Sequence, residues 1–332
     1  MTFGVFAANA NAVSPSGCAA YTYALRGFLP YLRAPWYQFS EQQIDDPDVN
    51  GGTNPAFPFL TGHGGAFQVA PFGFLGVRTD QSVLFLSPSL PPQIPQLKLR
   101  NFYYAGAAFS AFMNATHTAL TRIPPVESLN DTFAGEKIPF IVGAPGNETS
   151  QTRYTIGVNE TVVVPNRLYW QNLTHPGNIL QCLPITTPDA YVPGQLPSSA
   201  NDGAAATSWQ PATEDSARLV INTTGVPPRK VGGLFFDFGT RPVTNASVWF
   251  FNKTSTGLKV GTQVEVDGLG PNLPPVGSST VVPVVDNTTT MVLDPSLNIW
   301  TGDWVELTIE GCSGCDTSDG ALGGTIAEFV VY

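Results

Sequence analysis

Charge is scarce in this 332-residue chain. Asp, Glu, Lys and Arg make up 12% of it, with 25 acidic against 15 basic residues and a formal net charge of −10. No Lys/Arg cluster occurs, which excludes an electrostatic footprint for nucleic acid. Histidine is rarer still: His63, His117 and His175 are too few for a His-rich metal centre. Cysteine is limited to Cys18, Cys182, Cys312 and Cys315, so the single CxxC has no second pair to complete a zinc site. No run of eighteen apolar residues exists, so no membrane-spanning helix is expected. The opening MTFGVFAANANAVSPSGCAAY has neither the basic start nor the continuous apolar stretch of a signal peptide. Low charge does not mean disorder here, because 42% of the residues are hydrophobic.

Turn formers and sequons fill the space that charge leaves. Glycine (33) and proline (30) are abundant without a fixed period, which points to short strands joined by many turns. Nine of the 19 asparagines open an N-x-[ST] sequon: Asn114, Asn130, Asn147, Asn159, Asn172, Asn222, Asn245, Asn252 and Asn287. That excess over chance placement implies a glycoprotein of the secretory route. Sequons without a signal peptide lead to the expectation that the chain lacks its own beginning. None precedes Asn114, so the first hundred residues are expected to pack inside something larger, and the rest to face solvent. In an oxidising compartment a Cys312–Cys315 bridge is expected, a redox or metal CxxC being the alternative.

Three zones follow along the chain. Residues 1–82 carry helix-like pieces, Ala19–Leu29 after a capping-type Ser-Pro-Ser and Gly65–Leu75 with a bend at Pro71. Between them, Ala34–Phe59 reads as a long loop, and loops of that length are usually functional. Residues 83–168 read as strands of an antiparallel sandwich, among them LFLSP, LKLRNFYYAG, AFSAFMNATHTALTRI, PFIVG, YTIGV and TVVVPNR. A connector over 168–176 leads to residues 177–332. This third zone also reads as all β, with RLVINTT, GGLFFDFG, ASVWFFN, TQVEVDG, TVVPVV, TMVLD, DWVELTIEG and GTIAEFVVY at the spacing of a sandwich or jelly roll.

Several uncommon strings then fall in a telling order: SPSGCAAYTYALRGFLPYLRAPW, APWYQFSEQ, NGGTNPAFPFLTGHGGAFQVAPFGFLGVR and LSPSLPPQIPQLKLRNFYYAG. Together they resemble the end of the fungal acid trehalases of glycoside hydrolase family 65, over residues 1 to about 122. The resemblance implies the C-terminal piece of an (α/α)6 catalytic barrel, then a small β-sandwich, and hydrolysis of an α-glucosidic bond with inversion. More weakly, PGNILQCLPITTPDAYVPGQLPSSANDGAAATSWQP resembles the opening of a discoidin-type, galactose-binding-like module. Its marks here are Asp202-Gly203 and Ser208-Trp209, with IAEFVVY as closing strand and Trp209 expected in the core. The fold class is thus mainly β with a short α part.

Inverting hydrolysis needs one carboxyl to protonate the leaving oxygen and another to activate water. The trehalase-like zone offers Glu41, Asp45, Asp46, Asp48 and Asp80. Glu41 lies among Trp36, Tyr37 and Phe39, which can stack a sugar and lower local polarity, so it is the candidate general base. The alternative is a loop acid capping the next turn. Asp45, Asp46 and Asp48 read as a solvated acidic loop, and the general acid is expected upstream of this chain. Trp36 is the candidate sugar platform, with core packing as its alternative. Thr61-Gly62-His63-Gly64-Gly65 is the second candidate site. Its glycines would let backbone N–H groups approach a ligand at a helix start, with His63 placing water or a glucose hydroxyl. A tight helix entry around a buried histidine is the alternative. His117 and His175 read as surface residues. Asp316 and Asp319 are candidates for a structural calcium of the kind such modules hold; no other cofactor is expected.

The resulting reading is α,α-trehalose hydrolysis by an enzyme of the cell wall, vacuole or medium, of which this is the C-terminal part and which is inactive without its missing N-terminal part. Its rival is a non-catalytic, secreted carbohydrate-binding or cell-surface protein built from β-sandwiches. A disaccharide phosphorylase is disfavoured by the secretory sequons.

Overall fold

A computed structural model describes residues 3–332, except 15, 17, 80–82, 125–129, 134, 145, 169–171, 267–268, 270–286, 314 and 316–321. Asp80, Asp316, Asp319 and the strand expected at TVVPVV lie outside the described residues. The chain divides into two compact units, residues 1–172 and 173–332. Both are mainly β.

The first unit starts with helices α1 (Phe3–Val13) and α2 (Ala19–Phe28). Helix α1 has no separate sequence signal, because it lacks charge and its apolar stripe is weak. Helix α1 meets the segment Val69–Phe74 and helix α2 through small residues. A Cβ added at Gly73 would lie 3.3 Å from the Ala8 Cα, and one at Gly27 3.2 Å from the Phe3 Cβ. A short hairpin of β1 (Leu32–Arg33) and β2 (Gln38–Phe39) follows, so the expected structureless loop is narrower than its sequence suggests. Helix α3 (Leu60–Gln68) begins five residues earlier than expected. At Val69–Phe74 it widens into a π-helical turn, closed by the Leu75 N–H on the Ala70 carbonyl at 2.9 Å. Pro71 explains the widening: it has no N–H, and its ring crowds an α-helical carbonyl.

The strands form two sheets. One is ordered β3 (Leu84–Leu86), β7 (Ile138–Val142), β8 (Thr152–Ile156). The other is ordered β4 (Gln96–Tyr104), β5 (Ala107–Asn114), β6 (His117–Arg122), β9 (Thr161–Pro165). The pairing of β3 with β7 is parallel, which corrects the expectation of a purely antiparallel sandwich. The run read as one strand over Ala108–Ile123 folds back on itself as β5 and β6. Its turn is set by the Asn114 carboxamide oxygen, which accepts from the N–H groups of Thr116 and His117. Helices and sheets share one core: Ala7, Ala20, Val69 and Phe74 pack in the same cluster as Phe109, Leu120, Phe140 and Val164. Buried Asn11 fastens the helices, donating to the carbonyls of Gly73 and Ser89 at 3.0 and 2.8 Å.

The second unit is an antiparallel sandwich of five strands against three. The larger sheet runs β10 (Ile185–Thr186), β11 (Ala217–Asn222), β16 (Trp304–Glu310), β13 (Asn245–Lys253), β14 (Lys259–Glu265). The smaller runs β15 (Thr288–Val292), β12 (Gly233–Asp237), β17 (Glu328–Val331). Period-two alternation decides the faces. Ala246, Val248 and Phe250 of β13 enter the core with Leu219, Ile221, Val305, Leu307, Phe236 and Phe329. Trp209 is fully buried among them, and its N–H and carbonyl bridge to Ile326, so it is a core residue as expected.

Candidate functional site

The strongest sequence candidates converge on the segment that follows β2. Phe59 N–H donates to the Phe39 carbonyl at 2.7 Å and Glu41 N–H to the Ala56 carbonyl at 3.1 Å, so residues 40–58 form a loop closed at its neck. Glu41 stands at that neck, exposed, with one carboxylate oxygen accepting the Ala56 N–H at 3.0 Å. This is the local anchoring expected of a loop acid, and it leaves the second oxygen open to solvent or substrate. Trp36 is 81% exposed at the tip between β1 and β2, beside exposed Tyr37 at φ +51°. Within the described residues Trp36 therefore presents an open aromatic face. Phe39 is buried and packs edge-on to Phe28 and to the His63 ring.

His63 is half-buried, with Nδ1 2.9 Å from the Phe59 carbonyl and its ring 5.1 Å from that of Phe39. Gly64 and Gly65 lie inside α3 rather than at its start. The free N–H groups of a helix belong to its first turn, so these two amides serve the helix ladder and not a ligand. No atom lies within 4 Å of a Cβ added at either, so chain packing does not require glycine there. No hydrogen bond or ring contact joins Glu41 or Trp36 to His63 among the described residues.

Arg33 was not singled out from sequence, yet it organises the loop. Its guanidinium donates to the carbonyls of Pro30, Leu32, Gln42 and Gln43, and pairs with Asp45 at 2.5 Å. The Arg33 hydrogen bond holds the Asp45 carboxyl below the usual range; burial opposes this, and the Ser40 hydroxyl adds to it. Asp45 is thus a fastening of the loop, whereas Glu41, like Asp46 and Asp48, pairs with no cation among the described residues. An arginine embedded in the apolar string LPYLRAPW, a dozen residues before three aspartates, was the available signal.

A second cluster lies in the other unit. Glu328 at the start of β17 is 8% exposed, and neither carboxylate oxygen has a hydrogen-bond partner. Burial pushes its pKa well up, the Asp202 and Asp237 charges push it further, and the nearby N–H groups of Ala204 and Gly203 pull it down without closing a hydrogen bond of good geometry. Asp202 is fully buried, with its oxygens accepting from the Ala204 N–H and the Thr207 hydroxyl. No group of three His, Cys, Asp or Glu side chains with metal-binding geometry occurs among the described residues. Asp202, Glu328 and the Thr207 hydroxyl are hard oxygen donors.

Cys312 and Cys315 are disulfide-bonded, and no cysteine is free. Asn114, Asn130, Asn147, Asn159, Asn172, Asn245 and Asn252 are exposed and Asn222 is half-buried, while the Asn287 amide nitrogen is engaged by the Gly239 carbonyl. His117 is exposed. His175 differs from its surface reading: it is half-buried, stacked between the rings of Phe235 and Tyr332 at 5.0 and 5.6 Å. No helix among the described residues is long and apolar enough to cross a membrane.

Comparison with known proteins gives no matching family model. The chain is 37% identical to the acid trehalase of Emericella nidulans over all of its length and 33% of that protein's. It is 44% identical to the cell wall acid trehalase of Arthroderma benhamiae over 75% of this chain and 24% of that protein. A periplasmic/secreted acid trehalase of Candida glabrata is 32% identical over 75% of the chain. Among solved structures, a chitosan-binding module of a chitosanase/glucanase from Paenibacillus sp. IK-5 aligns with 48% of the chain at 15% identity and a TM-score of 0.33. A fucose-binding module of Streptococcus pneumoniae aligns with 47% at 13% identity and the same TM-score. The chain spans about a quarter of the length of the Arthroderma benhamiae protein and a third of that of the Emericella nidulans protein. By sequence, then, the chain is a homologue of the fungal acid trehalases.

Proposed function

We propose that this chain is the C-terminal part of a secreted or cell-wall enzyme that hydrolyses α,α-trehalose to glucose with inversion. The observation that carries the reading is similarity to an acid trehalase along the whole chain. The exposed apolar side chains of the helical segment support it. Val5, Phe6, Leu29, Leu60 and Phe67 are each at least half exposed, as expected of helices whose further helical neighbours, the rest of an (α/α)6 barrel, belong to a longer protein.

In this mechanism Glu41 is the general base. Its carboxylate is positioned by the Ala56 N–H, and its open oxygen takes a proton from the attacking water. Trp36 offers a face to a glucose ring, and His63 directs its remaining ring nitrogen to water or a sugar hydroxyl. A second carboxylate, placed ~6.5–9.5 Å away across the scissile bond, acts as general acid and comes from upstream sequence. No other cofactor is required. The second unit is a discoidin-like module on this reading. Asp202, Glu328 and the Thr207 hydroxyl would hold a structural calcium, which would offset the mutual repulsion of carboxylates that burial otherwise disfavours. Asp316 and Asp319, the other candidates, lie outside the described residues.

The test is glucose release from trehalose, with the anomer followed by NMR. The longer enzyme is expected to release one β-glucose per bond cleaved, and the 332-residue chain alone none. Turnover by the pure, monomeric chain, or α-glucose alone as first product, would contradict the reading.

A further inference from the structure

The sandwich of the first unit carries a cleft that the proposed chemistry does not use. Its volume is about 460 Å3, within the range of small-ligand pockets. The β7–β8 loop forms one wall through Gly143, Ala144, Asn147 and Ser150, and Asn166 and Arg167 after β9 form the other. Tyr154 also lines the cleft, and its ring stacks on buried Phe140 at 5.2 Å, which fixes an aromatic platform.

Two sequon asparagines, Asn147 and Asn172, stand on the lining of this cleft. At Asn147 the attachment geometry is set. The carboxamide oxygen accepts the Thr149 hydroxyl at 2.7 Å, the sequon's own hydroxyl, and the backbone carbonyl accepts the Ser150 hydroxyl at 2.8 Å. The amide nitrogen, the atom that would carry a sugar, makes no hydrogen bond among the described residues, and the residue is exposed. Most polar side chains of the cleft already serve the fold. Asn166 is held by the Thr118 hydroxyl and the Asn114 carbonyl, and Arg167 donates to the carbonyls of Asn11 and Ser87. The Tyr154 and Thr152 hydroxyls remain to meet a ligand, beside an apolar platform. An aromatic face with a few convergent hydroxyls suits an amphipathic pyranose better than an ion.

We infer that the cleft is the seat of the chain's own carbohydrate: the proximal N-acetylhexosamine of a glycan on Asn147 folds back onto Tyr154. This rests on the secretory part of the proposed function. A tethered sugar meets the cleft at high effective concentration, so a weak contact suffices to keep it occupied.

The test is site-resolved enzymatic deglycosylation of the native chain, made in a glycosylating eukaryotic host. Peptide N-glycosidase in 18O water marks each released asparagine for mass spectrometry. Asn159 is the internal control: it is exposed on the β8–β9 turn of the same unit and does not line the cleft. A seated glycan must leave the cleft before cleavage, so Asn147 should be released about tenfold or more slowly than Asn159. Tyr154→Ala should bring the two rates together, and Tyr154→Phe, which keeps the platform, should leave Asn147 slow. Release of Asn147 as fast as Asn159, or an Asn147 left bare while other sequons carry sugar, would overturn the inference and leave the secretory reading standing. Bare asparagines at all nine sequons would overturn both. If Tyr154→Ala does not fold, the wild-type rates alone decide.

Discussion

Arg33 and Asp45 meet at 2.5 Å across the neck of the loop that carries Glu41. The same guanidinium also holds the carbonyls of Gln42 and Gln43, so one side chain fixes three residues of the loop. The Asp45 carboxyl is held below its ordinary range. A carboxylate with a depressed folded pKa contributes stability that is present above its unfolded value near 3.8 and is lost as pH falls through the lower folded value. The fastening therefore survives in a moderately acidic medium and fails only in stronger acid. Arg33→Ala is expected to raise hydrogen exchange across residues 42–53 at pH 5 while leaving the β-sandwich amides protected. Unchanged exchange in that segment would remove Arg33 from its organising role.

Calcium should act on the second unit alone. In the full chain, calcium at neutral pH is expected to raise the melting transition of residues 173–332, and a chelator to lower it. Mass action sets the size: calcium at about 100 times its Kd adds about 2.7 kcal/mol. Glu328→Gln should abolish the response and make the calcium-free protein more stable than wild type, because one buried, unpartnered charge is gone. A calcium response that persists in Glu328→Gln would place the cation elsewhere.

Trp209 tests the core of the same unit. It is fully buried between the two sheets, so Trp209→Ala should cost about 3–5 kcal/mol. The measurement is denaturant unfolding followed by circular dichroism. A midpoint unchanged from wild type would show that Trp209 does not belong to the core.

Strand positions in the second unit were legible because apolar residues alternate at period two with turns between them. Ala246, Val248 and Phe250 announce β13 without any fold knowledge. Helix α1 was not legible, since FGVFAANANAV pairs small residues with asparagines and its contacts are made through alanine and glycine. The β5–β6 hairpin was hidden in an unbroken strand-like run, because its turn depends on one side chain, Asn114, and not on a glycine or proline. In the site, Glu41 and Trp36 stood out by residue type, whereas Arg33 acts through carbonyl acceptors that no sequence spacing reveals. Gly64 and Gly65 misled for a related reason: a glycine string suggests an open turn until tertiary packing extends the helix back to Leu60. Glu328 was invisible because its meaning depends on Asp202, more than a hundred residues away.

Glu41 as the base is the central claim, and it is tested in the full-length enzyme. Glu41→Ala should lower kcat on trehalose by about 10²–10⁴-fold while leaving KM and the fold nearly unchanged, since a base acts on water more than on sugar. Azide should then restore turnover by entering the space the side chain vacates and attacking from the face opposite the leaving group. The product should be β-glucosyl azide, identified by its anomeric proton coupling. An alanine variant that keeps more than about a tenth of wild-type turnover, well short of the loss expected for a general base, would contradict the account and return Glu41 to the role of a loop acid bonded to Ala56.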